Sequence, residues 1–211
     1  TANGSIEVPI VGQAGVPAGA TAVLVSLTSD RGQGSGYLTA WQCTGTHPVV
    51  SNVNYTLNTP SGNGAIVPLS PNGSICVYSL LRSDVIVDVF GYVGPSGQRL
   101  NIAAPTRVLD SRSSIGLVAG GQTVPVQVTG AGRAAVGSSA VEVNITATEA
   151  RAPGWVSVFP CSAQPAPGSE TSVLNLTTGQ TRAAHVVVPV ATSGPSAGQL
   201  CLRTQNPTHL I

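Results

Sequence analysis

Lysine and methionine are absent from these 211 residues, and only 8% are charged and 4% aromatic. The nine basic residues are therefore all arginine, and they lie scattered along a chain of net charge +1. That excludes the basic stripe expected of a nucleic-acid binder or of a protein held on an anionic membrane. Without lysine the chain cannot form the Lys–Asn isopeptide crosslinks that stiffen some bacterial surface proteins, so covalent stapling has to come from cysteine. Long apolar runs are missing too. Stretches such as "HVVVPVA" (185–191) fall far short of the roughly 20 residues a membrane helix needs, so no membrane insertion is expected. No signal-peptide pattern heads the chain, which reads as mature and soluble.

What is abundant points to β structure. Gly (25), Pro (16), Val, Thr, Ser and Ala dominate, a composition that opposes long helices and favours strands joined by turns. Hydrophobic residues make up 42% and fall into alternating runs, unlike a disordered tail. Val23, Val25 and Leu27 alternate with Leu24, Ser26 and Thr28, and Val85, Val87 and Val89 alternate with Ile86, Asp88 and Phe90. Clusters such as "NTPSGNG" (58–64) and "PNGS" (71–74) separate the runs. Runs at this spacing read as a β-sandwich or a small barrel, and we take the sandwich.

The chain contains the same unit twice. "VLVSLTSDRGQGSGYLTAWQC" (23–43) aligns without gaps with "VEVNITATEARAPGWVSVFPC" (141–161), 118 residues further on. "SIEVPIVG" (5–12) lies on "TVPVQVTG" (123–130) at the same offset, and "ICVYS" (75–79) on "LCLRT" (200–204) at an offset of 125. Such self-similarity is the signature of a repeat. Copy one spans 1–93, a Gly/Pro/Ser connector 94–104, and copy two 105–211. "PTRVLDSR" (105–112) opens copy two without a counterpart before residue 1, and "VDVFGYV" (87–93) closes copy one without a counterpart after "THLI" (208–211). Each copy is thus expected to lack one terminal strand, on opposite sides.

Each copy holds two cysteines at equivalent places, Cys43 with Cys76 and Cys161 with Cys201. Repeat symmetry calls for one disulfide within each copy, the alternative being two reduced core pairs. A bridge closing 30–40 residues contributes on the order of 3–4 kcal/mol in the chain-entropy model. It also implies an oxidising compartment and hence secretion.

The ordered motifs "PTRVLDSR", "GWVSVFPC", "LNLTTGQT", "HVVVPV" and "THLI" with the continuation "VDVFGYV" resemble a tandem β-repeat of secreted and surface proteins of actinobacteria. The resemblance covers nearly the whole chain. It implies export and a surface role, often beside other extracellular modules, and brings no catalytic residue. Copy one departs from it at "LNTPSGNGAIVPL", which replaces the "TTGQT" turn.

No motif assembles a convincing active site. "GPSAG" (194–198) fits the G-x-S-x-G of a nucleophile elbow at Ser196, but no helix follows it, so it reads as a turn. "GAGRAA" (130–135) fits a dinucleotide loop, yet the strand "AVEVNITA" (140–147) follows where the phosphate-binding helix is required. His47, His185 and His209 lie in different segments, none repeated in the other copy, and read as solvated or hydrogen-bonded. No zinc or EF-hand spacing occurs, so neither metal nor cofactor is expected.

Two groups of residues stand out. Asp110 and Arg112, two apart and expected on one strand face, read with Arg107 as an ion-paired or turn-capping cluster. With Asp84 and Asp88 of the strand that ends copy one, they are expected to make structural contacts at the junction between repeats. Tyr37 and Trp41 share a strand face with Cys43, as Trp155 and Phe159 do with Cys161. Such rings either pack over the disulfide or stack on sugar. Five N-x-S/T sequons, at Asn3, Asn54, Asn72, Asn144 and Asn175, read as incidental to a Ser/Thr-rich chain.

The expectation is an all-β, non-enzymatic extracellular module with copies of itself as partners, a unit of a surface fibre, stalk or filament. The alternative is a carbohydrate-binding or adhesion module that grips cell-wall or environmental glycan through its loops or strand-face aromatics.

Overall fold

The computed structural model describes residues 2–97, 100–101, 104–130 and 133–211. The chain divides into two compact units, Thr1–Gly97 and Gln98–Ile211. Much of the 94–104 connector lies outside the described residues.

Unit 1 holds seven strands: β1 (Gly4–Pro9), β2 (Ala22–Asp30), β3 (Gly36–Trp41), β4 (Val53–Tyr55), β5 (Ser61–Pro68), β6 (Ser74–Ser79) and β7 (Asp84–Val93). They form a four-stranded sheet, β1-β6-β3-β4, and a three-stranded sheet, β5-β2-β7. Alternation decides which side chains face inward. Val23, Val25 and Leu27 of β2, Leu38 of β3 and Ile75 and Val77 of β6 are at most 2% exposed and pack between the sheets, with Val85, Val87 and Val89 of β7 against them. Burial of each such aliphatic side chain stabilises by about 1.5–3 kcal/mol.

Unit 2 repeats this plan in β8 (Thr123–Gln127), β9 (Ala140–Thr148), β10 (Gly154–Pro160), β11 (Leu174–Leu176), β12 (Arg182–Pro189), β13 (Gln199–Thr204) and β14 (His209–Leu210). Its sheets, β8-β13-β10-β11 and β12-β9-β14, follow the same order strand for strand. The fold is thus all-β, two tandem sandwich-like repeats. Each contains one disulfide, Cys43–Cys76 in unit 1 and Cys161–Cys201 in unit 2.

The register confirms the alignment at its last residues. Asp84 and Val85 pair with Asp30 and Ser29 of β2, and His209 and Leu210 pair with Thr148 and Ala147 of β9. "THLI" therefore occupies the place of the first residues of β7, and Ile211 exchanges both backbone hydrogen bonds with Thr146.

The opening of copy two differs from expectation. Residues 105–117 form no strand but a turn-rich segment, because the Asp110 carbonyl accepts from the Ser113 backbone N–H and from the Ser113 and Ser114 hydroxyls. The bridge from Val118 to Thr208 and the hydrogen bonds between Ser111 and Leu210 hold it against β14 and the residue before it.

Candidate functional site

The candidate aromatic residues lie on the outer face of each four-stranded sheet, opposite the core. In unit 1 that face carries Tyr37, Thr39 and Trp41 of β3 and Cys76 and Tyr78 of β6, with Thr39 beside Tyr78 and Trp41 beside Cys76. The loop after β3 folds back over it. Thr39 is fully buried and its Oγ1 donates to the Val50 carbonyl, while the Ala40 N–H donates to Asn52 Oδ1 at 2.8 Å. His47, from the same loop, stacks on Tyr78 with ring centres 3.8 Å apart and meets Trp41 edge-on at 6.1 Å. The Tyr78 hydroxyl donates to Asn3 Oδ1 at 2.6 Å. Burial, reinforced by the neighbouring Tyr37, holds the Tyr78 phenol above its ordinary range.

Unit 2 covers the corresponding face by other means. Ser157, equivalent to Thr39, is buried and donates to the Thr171 carbonyl. Arg203 stands where Tyr78 stands in unit 1. Its guanidinium lies 5.4 Å from the centre of the Phe159 ring, donates to Glu170 Oε1 at 2.6 Å and reaches Gln164 at 3.3 Å. Glu170 also accepts from the Gly168 N–H, and the hydrogen bond from Arg203 leads in holding its carboxyl below the ordinary range.

The rings therefore form no open platform. Phe159 is buried, whereas Tyr37, Trp41 and Trp155 are half-buried, and the tilt is 45° between Tyr37 and Tyr78 and 61° between Trp41 and His47. Trp41 Nε1 is buried without a hydrogen-bond partner among the described residues. Cys43 is not on the strand with Trp41. β3 ends at Trp41, and Cys43 has a φ of 62° that turns the chain into the covering loop. Cys161 likewise follows the end of β10 at Pro160.

The charged cluster is local. Asp110 accepts from Arg112 Nε at 3.0 Å, from its terminal nitrogen at 2.8 Å and from its backbone N–H at 3.2 Å, while Arg107 approaches at 3.3 Å. The Arg112 hydrogen bond leads in lowering the Asp110 carboxyl from 3.8 to about 2, against the opposing effect of its desolvation. Arg112 reaches Asp110 because the chain turns there, rather than because both point from one strand face. In unit 1, Asp84 pairs with Arg31, and burial raises the carboxyl of Asp88, which stands beside Ser26.

The histidines do not converge. His47 stacks on Tyr78, His185 Nε2 lies 2.6 Å from Glu142 across β12 and β9, and His209 Nδ1 lies 3.0 Å from the Ser111 hydroxyl. The "GPSAG" segment forms a turn leading into β13. Two residues of "GAGRAA", Ala131 and Gly132, lie outside the described residues, and β9 follows it. No group of three or more His, Cys, Asp or Glu suited to a metal occurs among the described residues, nor any helix long and apolar enough to cross a membrane.

No family model matches the chain, and no curated protein matches it. Among solved structures, it is similar to the N-terminal CBM22-1–CBM22-2 tandem domain of Xyn10C from Paenibacillus barcinonensis, at 14% identity and a TM-score of 0.26. The match covers 90% of this chain and 77% of that one. A likeness at this level carries no functional argument.

Proposed function

We propose that the chain is a non-enzymatic structural repeat, a β-sandwich unit of an extracellular fibre, stalk or coat of the kind its actinobacterial resemblance implies. The observation that carries this reading is the duplication itself. Two units share every strand neighbour and a disulfide at the same place, and each anchors a loop on its outer face through the hydroxyl of Thr39 or Ser157. Disulfides fit an oxidising compartment. Modules that contact copies of themselves head to tail without closing a ring build filaments.

The intact, unreduced mass of the natural protein tests this directly. A mass well above 21.1 kDa places the units in a longer covalent array, and a mass near it together with concentration-dependent sedimentation places them in a non-covalent one. A protein that is near 21.1 kDa and stays monomeric at every concentration defeats the reading.

The second reading, glycan binding, is favoured by the partial exposure of Tyr37, Trp41 and Trp155. Retardation in polysaccharide-containing native gels, lost in Trp155→Ala or Trp41→Ala, would move the balance to it.

A further inference from the structure

One groove in unit 1 has a filled counterpart in unit 2. It is lined by Gly4 and Ile6 of β1, Val77 and Ser79 of β6, and Ser83, Asp84 and Val85 where β7 begins, so it opens between the two sheets at their edges. Carried to unit 2 by the repeat alignment, Ile6 becomes Val124, Val77 becomes Leu202, and Ser83, Asp84 and Val85 become Thr208, His209 and Leu210. There the segment leading into the repeat bonds to the last three of these residues. Ser111 donates its N–H to the Leu210 carbonyl at 2.9 Å, and its hydroxyl accepts the Leu210 N–H at 2.9 Å and sits 3.0 Å from His209. Val118 exchanges both backbone hydrogen bonds with Thr208 and is buried to 1% exposure.

The two copies differ in exposure at these positions. Val124 is 6% exposed and Leu210 0%, but Ile6 is 42% exposed and Val85 only partly buried. Along an antiparallel edge strand, alternate residues turn both backbone groups away from the neighbouring strand. Asp84 takes the register position of His209 against β2, so Val85 directs its N–H and C=O into the groove as Leu210 does.

We propose that this groove is a docking site for a polypeptide segment of the kind seen in residues 107–118, an irregular stretch with a serine and an aliphatic residue, contributed by another repeat. The segment present in this chain is already used, since Ser111 and Val118 are buried in unit 2. The recognition chemistry follows from the filled copy. A serine hydroxyl and backbone pair with Val85, an aliphatic residue enters over Ile6 and Val77, and Asp84 offers the serine a carboxylate where unit 2 offers an imidazole. This is addition of a short segment to an open sheet edge, in which backbone pairing supplies affinity and side-chain seats supply specificity. The inference rests on the repeat-module reading above.

The test uses the whole 211-residue chain, isotope-labelled, and a synthetic peptide of residues 105–121. The expected result is saturable binding, with amide shifts confined to Gly4, Ile6 and Ser83–Val85. A scrambled peptide leaves the amides unmoved, and Ile6→Glu in the chain weakens binding by about tenfold or more by placing a charge in an apolar seat. Fusing residues 105–121 ahead of Thr1 is expected to raise the melting temperature and abolish binding of the added peptide. Absence of saturable binding in a folded chain, with no stabilisation from the fusion, overturns the proposal. Sedimentation separates it from the parent reading. Peptide binding by a protein that never assembles removes the structural-module function and leaves the docking site, whereas assembly without peptide binding or competition does the reverse.

Discussion

The loop that crosses the outer face of the four-stranded sheet is secured by stacked rings in unit 1 and by an ion pair in unit 2. Both loops keep one anchor in common, the hydroxyl at Thr39 or Ser157 that donates to a loop carbonyl. Around that anchor, His47 on Tyr78 is replaced by Glu170 on Arg203, with Phe159 beneath the guanidinium. Ring stacking gains from apolar burial. A carboxylate–guanidinium pair depends on the carboxyl staying ionised. The shared requirement is that the loop cover the sheet, and the sequence is free in how it does so.

This comparison can be broken most sharply at the disulfides. Cys76→Ser and Cys201→Ser are each expected to cost about 3–4 kcal/mol, lowering the melting of one unit only. Calorimetry that shows both units melting together after either change would mean that the two are not independent folding units.

A smaller and more one-sided effect is expected at the equivalent glycines Gly36 and Gly154. A Cβ at Gly36 would lie 2.6 Å from the Tyr55 hydroxyl and 2.7 Å from its ring. Tyr55 cannot yield easily, because it is 3% exposed and its hydroxyl is bonded to Ser79, the Leu81 carbonyl and the Leu81 N–H. At Gly154 the obstacles are the side chains of Asn206 and Gln205, which can move. Gly36→Ala should therefore destabilise by about 1–3 kcal/mol and Gly154→Ala by clearly less in urea titrations. Equal losses would show that the tyrosine seat is softer than its bonding suggests.

Next in size is the shared anchor. Thr39→Val and Ser157→Ala should each cost about 1 kcal/mol, similarly in the two units. Hydrogen exchange should show the covering loop opening faster in the unit that carries the change.

The smallest effect, and the most selective, is acid loosening of unit 2. Glu170 and Asp110 both have carboxyl groups held below their ordinary values in the folded protein. Their contribution is fully present above the unfolded value near 4 and is lost as pH falls; for Asp110 the window runs from 3.8 down to about 2. The loop at Glu170 should lose protection, measured against the intrinsic exchange rate, at pH 3 relative to pH 6, and Glu170→Gln should remove that pH dependence. Unit 1's covering loop, residues 42–52, contains no carboxylate, so Glu170→Gln should leave its exchange unchanged.

Much of this architecture was legible in the sequence because periodicity and self-alignment report what burial requires. The alternation through 23–28 and 85–90 named the inward residues, and the repeat offsets placed both disulfides and the pairing of "THLI". The segment 105–117 was not legible as a turn, since "TRVLD" alternates like a strand and only the serine hydroxyls bonded to the Asp110 carbonyl bend it. The candidate aromatics shared a strand face as expected. Their covering was hidden because the loops that do it, 42–52 and 161–173, carry no periodic signal and differ in length between the copies. The Tyr78-to-Arg203 exchange could have been noticed from the alignment of "ICVYS" with "LCLRT", where a ring meets a cation.

The placement of the disulfides has a mechanical corollary. Each joins the end of a central strand to its neighbour within one sheet, closing off 33 residues in unit 1 and 40 in unit 2 from the path between that unit's first and last strands. A pulling force on the chain can lengthen a ruptured unit only by the residues outside that closed path. At roughly 3.3–3.6 Å per extended residue, the bridges withhold about 110 Å of slack in one unit and about 140 Å in the other. Reduction would release both increments as separate steps in a force–extension trace, so that the oxidation state of four sulfur atoms sets how far the chain can stretch before it is taut.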